Sequence, residues 1–102
     1  MHVISRRALR EFWERHPSAK VPLAAWFRVL SAGEFAEFSA LKKVFGSADY
    51  LAPFTIFDVG GNRFRVIAHV KYKGQRAYIR HVFTHAEYDR WSYEMRMKRS
   101  KR

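Results

Sequence analysis

The stretch RHVFTHAEYD, residues 80–89, concentrates side chains that can transfer protons or bind charge. It holds two histidines, a tyrosine, two acids and an arginine within ten residues. Histidine titrates near neutral pH, so His85 is a natural general acid or base. The stretch also has a purely structural interpretation, because Thr84 followed three residues later by Glu87 is the pattern of a helix capping box. On that interpretation Tyr88 only packs the helix onto the end of the preceding strand.

Other kinds of chemistry are disfavoured by the residues that the chain lacks. It has no cysteine, so it can form neither a disulfide nor a thiolate metal site. His81 and His85 are four residues apart, but a predicted strand-to-helix junction lies between them, which is unfavourable for a shared metal ion. The sequence contains no glycine-rich phosphate loop and no serine–histidine–aspartate spacing. We therefore expect neither a metal nor another cofactor.

The net charge is the strongest global signal. Lysine and arginine total 20 against 9 acids, which gives +11. Proteins kept soluble by surface charge usually carry a net charge of about 2–8, so this excess predicts a polyanionic partner: nucleic acid, an anionic membrane or an acidic protein. The sequence has no apolar run long enough to span a membrane, and its first residues lack a signal-peptide core. We expect a single domain over residues 1–102, with residues 96–102 as a flexible basic tail.

The periodicity of apolar residues changes once along the chain. Helical spacing dominates the first half, and β-branched and aromatic residues dominate after residue 50. The predicted elements are helices 5–15, 18–31 and 34–45, strands 54–59, 63–72 and 75–83, and a helix 84–95. Tight turns at residues 60–62 (GGN) and 73–74 (KG) separate the strands. The predicted fold class is α+β, with N-terminal helices packed on one face of a three-stranded or slightly larger antiparallel sheet, and a short C-terminal helix.

The turn at residues 73–74 predicts which side chains share a face of the sheet, because directly opposed residues point to the same side. The opposed pairs are Lys71 and Arg76, His69 and Tyr78, Ile67 and Arg80, and Arg65 and Val82. One face then carries Arg65, His69, Lys71, Arg76, Tyr78 and Arg80. The other carries Phe64, Val66, Ala68, Val70, Ala77, Ile79 and Phe83, with His81 buried among them. The basic face could be an ordinary solvated surface, but opposed like charges favour an anionic ligand on it.

Two segments resemble a known family. DVGGNRFRVIA at 58–68 and YIRHVFTHAEYD at 78–89 are similar to the strands of HigB-type toxins, in the RelE-like superfamily of bacterial toxin–antitoxin systems. The opening HVISRRALREFWERHP and the later LKKVFGSAD also resemble that family, so the resemblance covers nearly the whole chain. It implies a RelE-like fold and a cytoplasmic endoribonuclease that cuts mRNA on the translating ribosome. It also implies a cognate helix-turn-helix antitoxin, with operator DNA bound only through the toxin–antitoxin complex.

The resemblance further implies roles for three residues in metal-free RNA cleavage. In that reaction the 2′-hydroxyl attacks the neighbouring phosphate, which requires a base, an acid and cationic stabilisation of the phosphorane. Arg65 resembles the strand arginine that acts on the scissile phosphate. His85 matches a position where RelE-like enzymes often carry arginine, and Tyr88 matches a tyrosine that orients or activates the 2′-hydroxyl.

One departure from the RelE pattern affects the identity of the base. RelE carries lysines on the strand where this chain has Ile56 and Asp58. The base is therefore expected among His85, Tyr88 and Lys71. Asn62 is either an RNA contact or only a turn former. The residues expected to bind RNA are Arg80, Lys73, Arg76, Asn62 and His69. The alternative function is a non-catalytic RNA-binding or ribosome-associated module, which would use the same basic face.

Overall fold

A computed structural model describes residues 1–100, apart from the side chains of residues 99 and 100. The elements in chain order are β1 (His2–Ile4), α1 (Arg6–Arg15), a 3-10 turn (Pro17–Ala19), α2 (Lys20–Ala32), α3 (Phe38–Val44), β2 (Asp49–Leu51), β3 (Phe54–Val59), β4 (Phe64–Lys71), β5 (Arg76–Thr84) and α4 (His85–Ser100). The strands form one sheet in the order β1-β5-β4-β3-β2. Strand β1 runs parallel to β5, and the other pairs are antiparallel. The predicted α+β class is confirmed, with two additional strands.

The N-terminal helices cover one face of the sheet, as predicted. Leu9 and Phe12 of α1 are buried at helical spacing, as are Leu23, Trp26 and Leu30 of α2. These side chains form the main core together with the inward side chains of β3, β4 and β5. No helix within residues 1–100 is both long and apolar enough to cross a membrane.

Two short edge strands extend the predicted three-stranded meander. In β1, Val3 is buried opposite Ala77 of β5, which brings the start of the chain to the edge of the sheet. In β2, Leu51 is buried opposite Phe54 of β3. Each edge strand has only three residues, which is too short to produce a recognisable alternation in the sequence.

A β-bulge between β4 and β5 corrects part of the predicted register. Pairing is as predicted from the Lys71–Arg76 pair up to the Ala68–Ile79 pair, and then shifts by one residue, so that Ile67 lies opposite His81 and Arg65 opposite Phe83. Arg80 is the extra residue. A bulge leaves one residue unpaired and reverses the facing of the strand residues beyond it. The predictions that His81 and Phe83 face the main core are therefore wrong.

The C-terminal helix packs on the face of the sheet that carries Arg65, opposite the face covered by the N-terminal helices. Helix α4 lies against that face and forms a second apolar cluster, whose buried centre is Leu51, Ile56 and Ile67. The partly buried side chains packed against this centre are Phe54, Phe83, Tyr88, Trp91 and Met95. The helix continues to Ser100 rather than ending at residue 95, so residues 96–100 of the expected tail are helical. Residues 101 and 102 lie outside the described residues.

Candidate active site at the end of the sheet

Arg65 lies at the centre of the candidate site and is only 7% exposed. Its Nε lies 2.9 Å from Oδ1 of Asp58, the residue directly opposite it on β3. Its Nη1 donates to the backbone oxygens of Asn62 and Phe64, both at 3.2 Å, and its Nη2 donates to Asn62 Oδ1 at 2.7 Å. His85 Nδ1 lies 3.5 Å from the same Nη2. The five N–H groups of the guanidinium thus all have protein acceptors, and a phosphate must displace one of them to bind.

His85 is the first residue of α4, where the predicted capping box holds it. Thr84 N–H donates to Glu87 Oε1 at 2.9 Å, and Glu87 N–H donates to Thr84 Oγ1 at 3.3 Å. This reciprocal pair fixes the turn from β5 into the helix. The imidazole is about half exposed, with Nε2 3.4 Å from Asp89 Oδ2. Because a guanidinium can only donate, the contact with Arg65 requires the lone pair on Nδ1 and a proton on Nε2, toward Asp89.

Tyr88 joins the site through its ring. The Arg65 guanidinium carbon lies over this ring, 5.2 Å from the centroid, which is a cation–π geometry. Tyr88 also packs against the second apolar cluster, with its ring centroid 6.2 Å from that of Trp91. Tyr88 therefore packs the helix onto the sheet and also contacts the central arginine, so the two interpretations of this residue are compatible.

The turn at residues 60–62 supplies the third side of the site. Gly60 and Gly61 have φ values of +67° and +69°, which glycine adopts without strain. The turn brings Asn62 back over Arg65, which holds it by both its backbone and its side-chain oxygen. Asn62 is thus a turn residue fixed by Arg65. Its exposed side chain lies next to Nη2 of Arg65, the nitrogen that faces the His85 imidazole.

The remaining predicted residues lie at the other end of the same face. We call His69, Lys71, Arg76, Tyr78 and Arg80 the basic patch. Lys71 is six residues from Arg65 along β4, which corresponds to about 20 Å at the rise of a strand. The structure therefore does not bring Lys71 together with His85 and Tyr88. Lys73 is exposed in the adjacent turn.

Contacts within the basic patch join cations to an aromatic ring. His69 and Tyr78 are directly opposed on β4 and β5. The Arg80 guanidinium lies over the Tyr78 ring, 5.5 Å from its centroid. Burial lowers the pKa of His69, and the positive charges of Lys71 and Arg80 lower it further. An anion bound here would oppose the effect of those two charges.

His81 lies between the candidate active site and the basic patch. Its ring stacks on Phe83 with a centroid distance of 4.9 Å, and it contacts Trp91 of α4 at 5.7 Å. Burial lowers the pKa of His81, and the charge of Arg80 lowers it further. His81 thus lies on the face of the sheet that carries Arg65, beside the C-terminal helix, and not in the main core as predicted.

Two carboxylates of the site are not identifiable as site residues from the resemblance alone. Asp58 stands out in the sequence only as a replacement for lysine, and Asp89 only as a possible partner of an arginine. The structure pairs Asp58 with Arg65 and Asp89 with His85. Counting outward from the GGN turn at 60–62 would place Asp58 opposite Phe64; the structure has a four-residue connection, 60–63, and so pairs Asp58 with Arg65. Within residues 1–100, no group of three or more His, Asp or Glu side chains is arranged to hold a metal ion.

The fold and this site define a small α+β protein with an arginine–histidine–tyrosine cluster at the end of a basic sheet. The chain belongs to the HigB toxin family, described as the RelE-like toxic component of a toxin–antitoxin system, whose family model matches residues 19–91. The resemblance noted from the sequence is thus confirmed. Because such a toxic component acts in a system with an antitoxin, an antitoxin is its partner.

Named relatives cover most of the chain. It is 42% identical over 92 residues to the mRNA interferase toxin HigB of Escherichia coli strain K12 and to the mRNA interferase HigB of Shigella flexneri, with 87% of this chain and 88% of each relative covered. It is 31% identical over 93 residues to an mRNA interferase HigB of Escherichia coli O6:H1, with 88% of this chain and 90% of the relative covered.

Proposed function

We propose that this protein is the toxin of a type II toxin–antitoxin system and a metal-independent endoribonuclease that cleaves mRNA on the translating ribosome. The observation that carries this proposal is the contact of Arg65 with both His85 and Tyr88 at the end of the sheet. The mRNA interferase names of its relatives supply the substrate class. Translating ribosomes imply a cytoplasmic location.

The reaction is an in-line attack of a 2′-hydroxyl on the adjacent phosphorus. The base removes the hydroxyl proton, the new O2′–P bond forms, the P–O5′ bond breaks, and an acid protonates the departing 5′-oxygen. The products are a 2′,3′-cyclic phosphate and a 5′-hydroxyl. Asp58 is paired with Nε of Arg65, whereas His85 contacts Nη2 and Tyr88 contacts the guanidinium through its ring. We assign the base and the acid to His85 and Tyr88.

Arg65 stabilises the negative charge of the phosphorane in this proposal. Its Nη2 is the accessible edge, because its acceptors there are the exposed Asn62 side chain and the half-exposed His85 ring. A phosphate oxygen that displaces His85 Nδ1 from Nη2 leaves the imidazole free to exchange a proton with the substrate. Loss of one electrostatic group that acts on the transition state typically costs about 10²–10³ in rate.

The basic patch binds the RNA backbone at a distance from the cleaved bond. Lys71, Arg76 and Arg80, with Lys73 in the neighbouring turn, contact phosphates, and Tyr78 offers a ring for base stacking. Lys71 belongs to this binding role, since about 20 Å of strand separates it from Arg65. His69 adds a cation when a phosphate favours its protonation.

The antitoxin in this proposal carries a helix-turn-helix domain, and operator DNA is bound only through the toxin–antitoxin complex. A helix-turn-helix protein encoded beside this chain would support this part. Co-expression of that protein should abolish growth arrest, and the purified complex, but not the toxin alone, should bind a DNA fragment from the promoter of the two genes.

The test of catalysis is induction of wild type, Arg65→Ala and His85→Ala in bacteria, followed by mapping of mRNA 5′ ends. We expect growth arrest and new 5′-hydroxyl ends only with the wild type. Arg7→Ala is the matched control, because Arg7 is an exposed arginine on α1 whose ion pair at 3.4 Å is with Glu11 of the same helix. It should cleave like the wild type. Growth arrest without new ends would instead indicate a non-catalytic RNA-binding module, and unchanged cleavage by the double Arg65→Ala/His85→Ala variant would place the active site elsewhere.

A further inference from the structure

Asp58 is the acidic residue most closely connected to the candidate site. Its carboxylate accepts from Arg65 Nε at 2.9 Å, and the two residues are directly opposed on β3 and β4. The side chain of Arg65 is 8% exposed and that of Asp58 28% exposed. The ion pair is therefore largely shielded from solvent on the arginine side, where a charge without a partner is strongly unfavourable.

The Asp58 contact determines which way the guanidinium plane faces. A guanidinium is a rigid planar fork, so fixing the direction of Nε fixes the directions of both terminal nitrogens. One of these nitrogens reaches two backbone oxygens of the GGN turn and the start of β4. The other faces Asn62 Oδ1 and His85 Nδ1. Rotation of the fork away from Asp58 would withdraw Nη2 from the imidazole.

We propose that Asp58 is a positioning residue for RNA cleavage, which acts through Arg65 by holding its fork toward Asn62 and His85. This inference rests on the proposed function, because it assigns Asp58 to the same reaction. Asp58 also offsets part of the Arg65 charge that the imidazole experiences. The charged and titratable groups around the His85 imidazole are Asp58 from β3, Arg65 from β4, and Tyr88 and Asp89 from α4.

The test compares Asp58→Asn with wild type in a reconstituted translation reaction that contains one reporter mRNA. We expect kcat to fall about 10–100-fold, because small misplacement of a catalytic group costs up to about 10²-fold. We expect KM to change less than about twofold, since the basic patch is intact.

Asp49→Asn is the matched control. Asp49 is an exposed acid on β2, its carboxylate accepts from the N–H of Tyr50 at 2.8 Å, and its substitution removes the same charge without touching Arg65. It should retain the kcat and KM of the wild type. A purely structural role of Asp58 would lower the unfolding midpoint but leave kcat and KM of the folded variant unchanged, and that result would overturn the proposal.

A second background tests whether Asp58 acts through Arg65. In Arg65→Gln the cation is absent, so adding Asp58→Asn should not lower the residual kcat further, as expected for two residues in one interaction. An additional tenfold loss would show that Asp58 acts independently of Arg65. This background has no unpaired cation, so it provides the folded comparison if Asp58→Asn alone unfolds at the assay temperature. If the wild-type protein does not cleave the mRNA, the proposed function fails. If the wild-type protein cleaves it and Asp58→Asn cleaves it equally well, only the inference on Asp58 is overturned.

Discussion

Trp91 is expected to be the main residue that holds the C-terminal helix on the sheet. Its ring lies 5.7 Å from Phe54, 5.9 Å from Phe83 and 5.7 Å from His81, as measured between centroids. These three partners come from β3 and β5, so a single side chain connects α4 to two strands. Replacing Trp91 by alanine should loosen the helix whose first turn carries His85 and Tyr88.

The expected cost depends on the area that this side chain buries. A large aromatic side chain buries about 150–250 Å², which at about 25 cal/mol per Å² corresponds to roughly 4–6 kcal/mol for complete burial. Trp91 is only partly buried, so we take about half of that value. Trp91→Ala should therefore lower the free energy of unfolding by about 2–3 kcal/mol.

The assay is urea denaturation followed by circular dichroism, together with mRNA cleavage under native conditions. Tyr93→Ala is the matched control, because Tyr93 is an aromatic residue on the same helix that is 65% exposed. Its substitution should change the free energy of unfolding by less than about 0.5 kcal/mol. Cleavage by Trp91→Ala should fall because His85 and Tyr88 lose their fixed position. Equal stabilities of Trp91→Ala and Tyr93→Ala would refute the docking of α4 through this ring.

Three smaller predictions concern the cap, the turn and the basic patch. Thr84→Ala should lower the free energy of unfolding by about 1 kcal/mol, because it breaks the capping box; Thr84→Ser should retain the wild-type value in the same urea titration. Gly61→Ala should cost about 1–2 kcal/mol in thermal unfolding, because φ is +69° although a Cβ there meets no atom; Gly46→Ala, which also meets no atom and lacks the positive φ, should have little effect, and equal effects would contradict this explanation. The affinity for single-stranded RNA, measured by fluorescence anisotropy, should rise as pH falls from about 7 to 5.5. The pKa of His69 is lowered in the free protein, first by burial and then by Lys71 and Arg80, so a bound phosphate raises it and binding takes up a proton. His69→Gln should reduce this pH dependence, and an unchanged slope would exclude His69 from the interface.

The part of the fold that depends on local sequence signals was predictable. The GGN and KG turns set the hairpins, and apolar spacing identified the two longer N-terminal helices. Counting from the KG turn gave the correct partners as far as Ala68 and Ile79. Beyond that pair the predicted partners were wrong, because β5 contains one extra residue at the bulge. The position of a bulge is determined by packing and leaves the local alternation of the sequence almost unchanged.

The residues of the candidate site that belong to a sequence motif were predictable. Those that join the site only through tertiary contacts were not. Arg65, His85 and Tyr88 came from a resemblance, and the structure brings them into contact. Lys71 shares the face of Arg65 but lies far along the strand, because alternation predicts a face and gives no distance along it. The packing of Trp91 across β3 and β5 depends on the direction of α4, which the sequence does not encode locally.

The bulge at Arg80 also has a consequence for changes in chain length. Residues 76–79 pair with residues 71–68, and residues 81–84 pair with residues 67–64, so Arg80 has no partner in the ladder. Deleting Arg80 would join Ile79 to His81, whose side chains already point to opposite faces, and every other residue of β5 would keep both its partner and its face. Deleting Ala77 or Val82 would instead shift one half of the strand onto the wrong side of the sheet. A one-residue deletion inside this strand therefore preserves the sheet at Arg80 and disrupts it where the residues are paired on both sides.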